Sequence, residues 1–208
     1  GSILYRLKTY FKLLSVGKKV DVFHIHGCSY AGFFPIFIGI LAARTLTGKR
    51  VVVTYHGGDA DRFFARNSRF IRFVFSKVDT VIVLSGYLQQ VFQKYSIPTR
   101  IIPNIVSFEK DEFHLKDEIN PHYVSTRSLT DLYNIGCIIE AFSIVKKKYE
   151  DATLIILGDG DKRQELMDLV KKKQLHHVTF FGKVDNSVIY NYLRESDIFL
   201  SAPLIDNM

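Results

Sequence analysis

Hydrophobic residues fall along the chain in two alternating spacings. Short apolar runs alternate with segments in which apolar residues recur every three or four positions. Ile3, Leu4, Leu7, Phe11 and Leu14 form a helical stripe, with Arg6, Lys8 and Lys12 off it. Residues 20–26 then read as a buried strand and 31–47 as a helix. Arg50–Tyr55 is the next strand, followed by an aromatic and basic helix over 62–76 and a strand over 80–84. Ser85 is a good N-cap for a helix running through Tyr95, and 100–102 is a short fourth strand.

A second series follows. Residues 123–126 read as a strand, and Ile135, Ile138, Ile139, Phe142 and Val145 mark one face of a helix. Thr153–Leu157, 178–181 and 198–201 read as strands, with helices over 162–173 and 188–193 between them. Strands separated by helices predict an α/β fold with right-handed crossovers and a parallel sheet in each half. The strands lack clean period-two alternation, as expected of parallel sheets covered on both faces. Residues 106–120 carry seven charges (Glu109, Lys110, Asp111, Glu112, Lys116, Asp117 and Glu118) and few strand formers. They read as an interdomain crossover between domains at 1–105 and 121–208.

Composition narrows the class. The 208 residues are 47% hydrophobic and 24% charged, ordinary for a globular protein and unlike a disordered or disulfide-rich chain. Cys28 and Cys137 are far apart and form no C-x-x-C pair, which points to a reducing compartment and away from a structural zinc. Residues 27–43 carry no charge, but a membrane span needs about 20 apolar residues. This run is shorter and contains Pro35 and Gly39, so it reads as a buried core helix. No secretory signal is expected, and Gly1-Ser2 has the look of a cloning scar.

Charge is unevenly placed. Residues 1–105 hold 15 Lys and Arg against 4 Asp and Glu, a balance of +11, whereas 106–208 hold 13 against 17. The basic half would attract anions such as nucleic acid, lipid headgroups or phosphorylated substrates, unless it is a solvated surface only. Residues 61–77 interleave Arg62, Arg66, Arg69 and Arg72 with phenylalanines, the pattern of a helix docking on an anionic membrane.

In open α/β sheets ligands bind beyond the carboxyl ends of the strands. His26-Gly27 follows the first strand and His56-Gly57-Gly58 the second, so two strands deliver a histidine and glycine to one sheet edge. Such histidines can bond sugar hydroxyls or move a proton. His24, mid-strand, reads as a satisfied core residue. No third ligand at metal spacing accompanies them, so no metal is expected. Arg127 follows a strand and can grip a phosphate bidentately, or be a surface arginine. Gly158-Asp159-Gly160 lies between a strand and a helix, either bringing amides to a phosphate or making a tight turn. The third glycine of a dinucleotide fingerprint would fall at Arg163, which disfavours a dinucleotide cofactor. Gly182-Lys183-Val184 follows the next strand, as a base-edge reader or a plain turn.

Taken together and in order, these segments resemble the retaining nucleotide-sugar glycosyltransferases of the GT-B fold, family four (glycosyl transferases group 1). Asp21-Val22-Phe23-His24-Ile25-His26-Gly27 resembles its D-V-x-H-x-H segment and Val53-Thr54-Tyr55-His56-Gly57 its T-x-H-G strand end. Ile102-Pro103-Asn104, Arg127 with Ile139-Glu140-Ala141-Phe142, and Leu157-Gly158-Asp159-Gly160 are similar to its I-P-N, G-R…I-E-A-F and L-G-x-G segments. Val178-Thr179-Phe180-Phe181-Gly182 and Asp197-Ile198-Phe199-Leu200-Ser201 are similar to two further strand ends. Tyr133-Asn134 stands where the family has lysine-glycine.

The resemblance implies two Rossmann-like domains, each incomplete here, with the family's first strand expected before Gly1 and its paired glutamates beyond Met208. It implies sugar transfer from a nucleotide-diphosphate donor to a glycan or lipid-linked acceptor, with no further cofactor and no nucleic acid. Capsule or lipopolysaccharide assembly at the inner face of the membrane, in the cytoplasm, would fit. Arg127 would stabilise the leaving diphosphate, His26 would contact the donor sugar and His56 the acceptor. Gly27, Gly57, Gly58, Gly158, Gly160, Gly182, Lys183 and Val184 would line the substrates. The rival readings are a nucleotide-sugar epimerase of related fold and a nonenzymatic polyanion binder.

Overall fold

The computed structural model describes residues 3–46, 49–105 and 115–205, and their side chains from residue 7 onward. Of the expectations above, Gly1-Ser2, the side chains of Ile3, Leu4 and Arg6, position 47 and residues 106–114 of the crossover lie outside the described residues. The chain divides into two compact units, residues 1–106 and 107–205.

The first unit runs α1 (Ile3–Gly17), β1 (Val22–Gly27), α2 (Phe34–Thr45), β2 (Arg50–Tyr55), α3 (Ala60–Phe75), β3 (Thr80–Val83), α4 (Gly86–Gln93) and β4 (Arg100–Ile101). Its sheet is all parallel, in the order β1-β2-β3-β4. A 3-10 turn, Tyr30–Phe33, precedes α2, and Pro35 sits in its first turn, where a missing N–H costs nothing. The uncharged run is thus a short helix with Ile36, Gly39, Ile40, Ala42 and Ala43 buried. No helix among the described residues is long and apolar enough to cross a membrane. Ser85 caps α4 as expected, its Oγ accepting from Leu88 N–H at 3.3 Å. The core is aromatic: Phe92 meets Phe64 at 4.8 Å and Tyr55 and Phe75 each at 5.2 Å between centroids, edge-on.

The second unit runs β5 (His122–Ser125), α5 (Ile135–Val145), β6 (Thr153–Leu157), α6 (Arg163–Lys172), β7 (Val178–Gly182), α7 (Asn186–Glu195) and β8 (Ile198–Phe199). Its sheet is also all parallel, but the order is β7-β6-β5-β8. The chain lays β6 and β7 outward on one side of β5, then returns to place β8 on the other. Ile135, Ile138, Ile139 and Phe142 of α5 are buried with Leu154, Ile156 and Leu166. The periodic stripe is therefore the core face it was read to be. The chain is α/β with two parallel sheets, as expected.

One expectation needs correcting. The edge strands β1 and β7 are not covered on both faces, whereas the inner strands β2, β5 and β6 bury consecutive residues as expected. In β1 burial alternates, with Phe23 and Ile25 buried and Val22, His24 and His26 exposed. Helix α2 explains the buried side: a Cβ on Gly39 would lie 2.7 Å from Ile25 Cδ1. In β7, Phe181 is likewise 46% exposed.

Candidate functional site

In a parallel sheet every strand ends at the same edge, so the segments after the strands are neighbours by construction. In the first unit that edge carries a histidine pair. β1 and β2 pair with His26 opposite Thr54 and Gly27 opposite Tyr55. The His56 amide donates to Gly27 O at 2.8 Å, extending the ladder one residue. His26 Nδ1 then lies 2.9 Å from His56 Nε2, with the rings stacked at 5.2 Å. A contact of that length holds one proton between two nitrogens, so one ring donates and the other accepts. At most one ring of the pair is an imidazolium.

His24 belongs to this group, and that corrects its reading as a core residue. It is exposed, its Nε2 is 2.8 Å from Thr54 Oγ1, and its ring centre is 4.5 Å from that of His26. Two residues apart on a strand, His24 and His26 share one face. Burial lowers the pKa of His56 first, and the charges of His26 and His24 lower it further. His24 is lowered by burial and then by His26. His24 and His56 therefore favour the neutral imidazole near pH 7.

The glycines around the pair are set by packing. A Cβ on Gly27 would come within 2.5 Å of Ile36 Cγ1, and one on Gly57 within 2.9 Å of Ser29 N. Gly58 lies in the turn that leads to Asp59. Here the structure adds a pair that sequence reasoning missed. Tyr30, at a left-handed φ of 54°, donates its hydroxyl to Asp59 Oδ2 at 2.5 Å. The bond to Asp59 is the main cause of its raised pKa. Beneath, Ser29 Oγ and Tyr55 OH are 2.6 Å apart, and burial pushes the Tyr55 phenol up. The sequence signal was only positional: Tyr30 and Asp59 follow β1 and β2 by a few residues.

In the second unit the strand order reverses at β5, and the crevice at such a reversal is the expected ligand position. Arg127 stands two residues beyond β5 and Ser201 two beyond β8. Arg127 Nε donates to Ser201 Oγ at 3.1 Å, and the guanidinium lies 5.5 Å from the centre of the Tyr133 ring. Tyr133 thus takes up the arginine as a cation–π partner where the family has lysine. Ser201 was missed because it reads as the last residue of a strand, which in fact ends at Phe199.

Gly158 and Gly160 sit against this arginine's own backbone. Gly158 has φ +147°, and a Cβ there would lie 2.2 Å from Arg127 O; a Cβ on Gly160 would lie 2.3 Å from Leu129 O. Their amides are engaged within the chain, Gly158 N–H to Gly182 O at 2.8 Å and Gly160 N–H to Asp159 Oδ1 at 2.9 Å. Both glycines thus let segment 127–129 dock beside β6. Gly182, at φ +76°, follows a bulge in the β6–β7 pairing that shifts it opposite Leu157. Lys183 and Val184 continue from it, Lys183 exposed. The parallel topology brings Arg127, Gly158, Gly160, Gly182–Val184 and Ser201 to one edge. Among the described residues, no group of three or more His, Cys, Asp or Glu side chains is placed to hold a metal ion.

Asp197 stands at the opposite end of β8. Its side chain is 2% exposed, with Lys116 Nζ at 2.9 Å and His122 Nδ1 at 3.1 Å. The Lys116 bond, ahead of the opposing effect of burial, lowers its pKa.

Comparison with known proteins agrees with this architecture. N-acetyl-alpha-D-glucosaminyl L-malate synthase of Bacillus anthracis is 26% identical over 215 residues, covering 94% of this chain and 54% of that protein. The amylovoran biosynthesis glycosyltransferase AmsK of Erwinia amylovora is 27% identical over 188 residues, covering 86% and 45%. The chain thus spans about half the length of these curated relatives. The crystal structure of Anabaena Alr3699/HepE in complex with UDP and glucose superposes with a TM-score of 0.73 at 16% identity, covering 97% of this chain and 58% of that one. The two parallel-sheet units are those of GT-B glycosyltransferases. Residues 106–204 match the model for Glycosyl transferases group 1, and residues 1–110 that for Glycosyltransferase Family 4. The chain belongs to Glycosyltransferase Family 4.

Proposed function

We propose that the protein containing this chain transfers a sugar, a hexose or its derivative, from a nucleotide-diphosphate donor to a hydroxyl of a glycan or lipid-linked acceptor. The transfer retains anomeric configuration and serves surface polysaccharide synthesis. The observation that carries the reading is Arg127 at the strand-order reversal, oriented by Ser201 and Tyr133. Charge builds on the departing diphosphate in the transition state, and a preoriented guanidinium stabilises it there. Lys183 adds positive charge at the same edge. In the first unit, His26 contacts the donor sugar and His56 the acceptor, the shared proton fixing which ring offers a lone pair and which an N–H. The chain spans about half its relatives' length, so the chain alone is proposed not to turn over.

We place this work at the cytoplasmic face of an anionic membrane. Supporting it is the surface of α2 and α3, where Phe37, Leu41, Phe70 and Phe73 are 38–61% exposed beside Arg66 and Arg69. Basic side chains near an anionic surface contribute about 1 kcal/mol each. The deciding experiment incubates the full-length protein with a panel of nucleotide sugars, with and without lipid-linked glycan. Acceptor-dependent release of nucleoside diphosphate is expected. Conversion of the donor to an epimer without acceptor would overturn the transferase reading.

A further inference from the structure

We propose that the first unit carries a separate phosphate-binding pocket, formed where the second half of α3 meets the end of α4, that takes a phosphomonoester group. Its residues are Ser68, Arg69, Arg72, Lys94, Tyr95 and Ser96, and its volume is about 490 Å³. That is within the size of small-ligand pockets. None of these residues belongs to the histidine pair or the Tyr30–Asp59 pair, and the proposal does not depend on the transferase reading.

Two backbone irregularities build it. Helix α3 is interrupted at Asn67, whose φ of −131° and ψ of 23° are not helical. The Asn67 side chain donates to Phe63 O at 2.9 Å, inside the preceding turn. Ser68, Arg69 and Arg72 therefore sit on a second, redirected helical segment. Helix α4 ends with Ser96 N–H on Gln93 O at 2.9 Å and Ile97 N–H on Phe92 O at 3.2 Å. That closing motif wants a left-handed residue, usually glycine, at the position of Ser96. Ser96 adopts it at φ 57°, at a steric cost that glycine would avoid. Ser96, held in that conformation, lines the pocket.

Charge selects the ligand. Lys94 is paired with Asp61 at 2.9 Å, which leaves Arg69 and Arg72 as the uncompensated charge of the pocket. Both are exposed, and among the described residues no carboxylate lies in ion-pair range of either. Two guanidinium forks match a phosphate oxygen set bidentately, and their charge matches a monoester dianion near pH 7. The ester can be a small solute or a membrane headgroup; the pocket's chemistry is the same for both.

The test is calorimetric titration of the chain with inorganic phosphate, with glycerol 3-phosphate and with acetate, in physiological chloride. Saturable one-to-one binding of the phosphates, and at least tenfold weaker binding of acetate, are expected. Arg72→Gln and Arg69→Gln should each cut phosphate affinity about tenfold or more. Arg62→Gln, which removes the same charge from α3 outside the pocket, should change it less than twofold. A second arm compares vesicles of phosphatidic acid with vesicles of phosphatidylglycerol at equal surface charge. Engagement of soluble glycerol 3-phosphate assigns a free ester; Arg72-dependent preference for phosphatidic acid assigns a headgroup. If neither phosphate form binds saturably, or if Arg62→Gln weakens binding as much as Arg72→Gln, the pocket is overturned and only a diffuse basic surface remains.

Discussion

The place of a Cβ on Gly158 is taken by the carbonyl oxygen of Arg127, 2.2 Å away. The loop that presents the arginine is thus seated in a notch that only glycine leaves open. Gly158→Ala must move backbone, and its φ of +147° adds strain. A loss of about 1–3 kcal/mol in stability is expected. Denaturant midpoints would show it, together with weakened nucleoside diphosphate binding. Unchanged midpoint and unchanged binding together would refute the seating role.

Arg127 itself should act on phosphates and not on the base. Charge-assisted hydrogen bonds are worth about 1.5–3 kcal/mol each. Arg127→Ala in the full-length enzyme should weaken nucleoside diphosphate binding about tenfold to a hundredfold and leave the nucleoside nearly unchanged. Lysine should rescue in part, since it lacks the planar fork that meets Ser201. Calorimetry with both ligands reads the difference. Equal weakening of both would mean that the damage is to the fold.

Acid should affect the two units at different pH. His56 and His24 have lowered pKa values in the fold, so the unfolded chain takes up protons first as pH falls below about 6.5. The first unit's stability is then full above that value and declines on acidification. Asp197 is also lowered in the fold, so its contribution has the same sign but a lower window: it is present above its unfolded value of 3.8 and is lost as pH falls below it. Residue-resolved hydrogen exchange from pH 7 to 4 should show β1 and β2 loosening first. His56→Asn should flatten that early decline.

Membrane docking should depend on the exposed phenylalanines and not on the buried ones. Phe73→Ser should reduce sedimentation with anionic vesicles without lowering the thermal midpoint, because this ring is 61% exposed. Equal recovery on neutral vesicles would remove electrostatics from the account.

Periodicity carried much of this fold. The Ile135, Ile138, Ile139 and Phe142 stripe and the Ser85 cap are local signals, readable because helix geometry depends only on neighbours along the chain. The strand ends were also readable, and parallel pairing converted them into a shared edge. Strand order was not. Nothing in residues 198–201 says that β8 pairs with β5, so Ser201 could not be placed beside Arg127 beforehand. His24 was misread because an alternating strand with histidines and a buried one look alike when the outer face is not known. The break at Asn67 was invisible for a related reason. Asparagine inside an amphipathic stretch is common, and only its bond to Phe63 O shows the helix interrupted.

β8 is two residues long and pairs with β5 through Ile198 and Phe199, flanked by Asp197 N–H on His122 O at 2.9 Å and Leu200 N–H on Val124 O at 2.8 Å. So short a strand is the least expensive part of the sheet to undock, yet Ser201 rides on it. Ligand occupancy at Arg127 and docking of β8 are therefore linked equilibria: whatever binds only the docked form pulls the strand home by mass action. The Leu200 amide is the reporter, exchanging slowly in proportion to how full the site is.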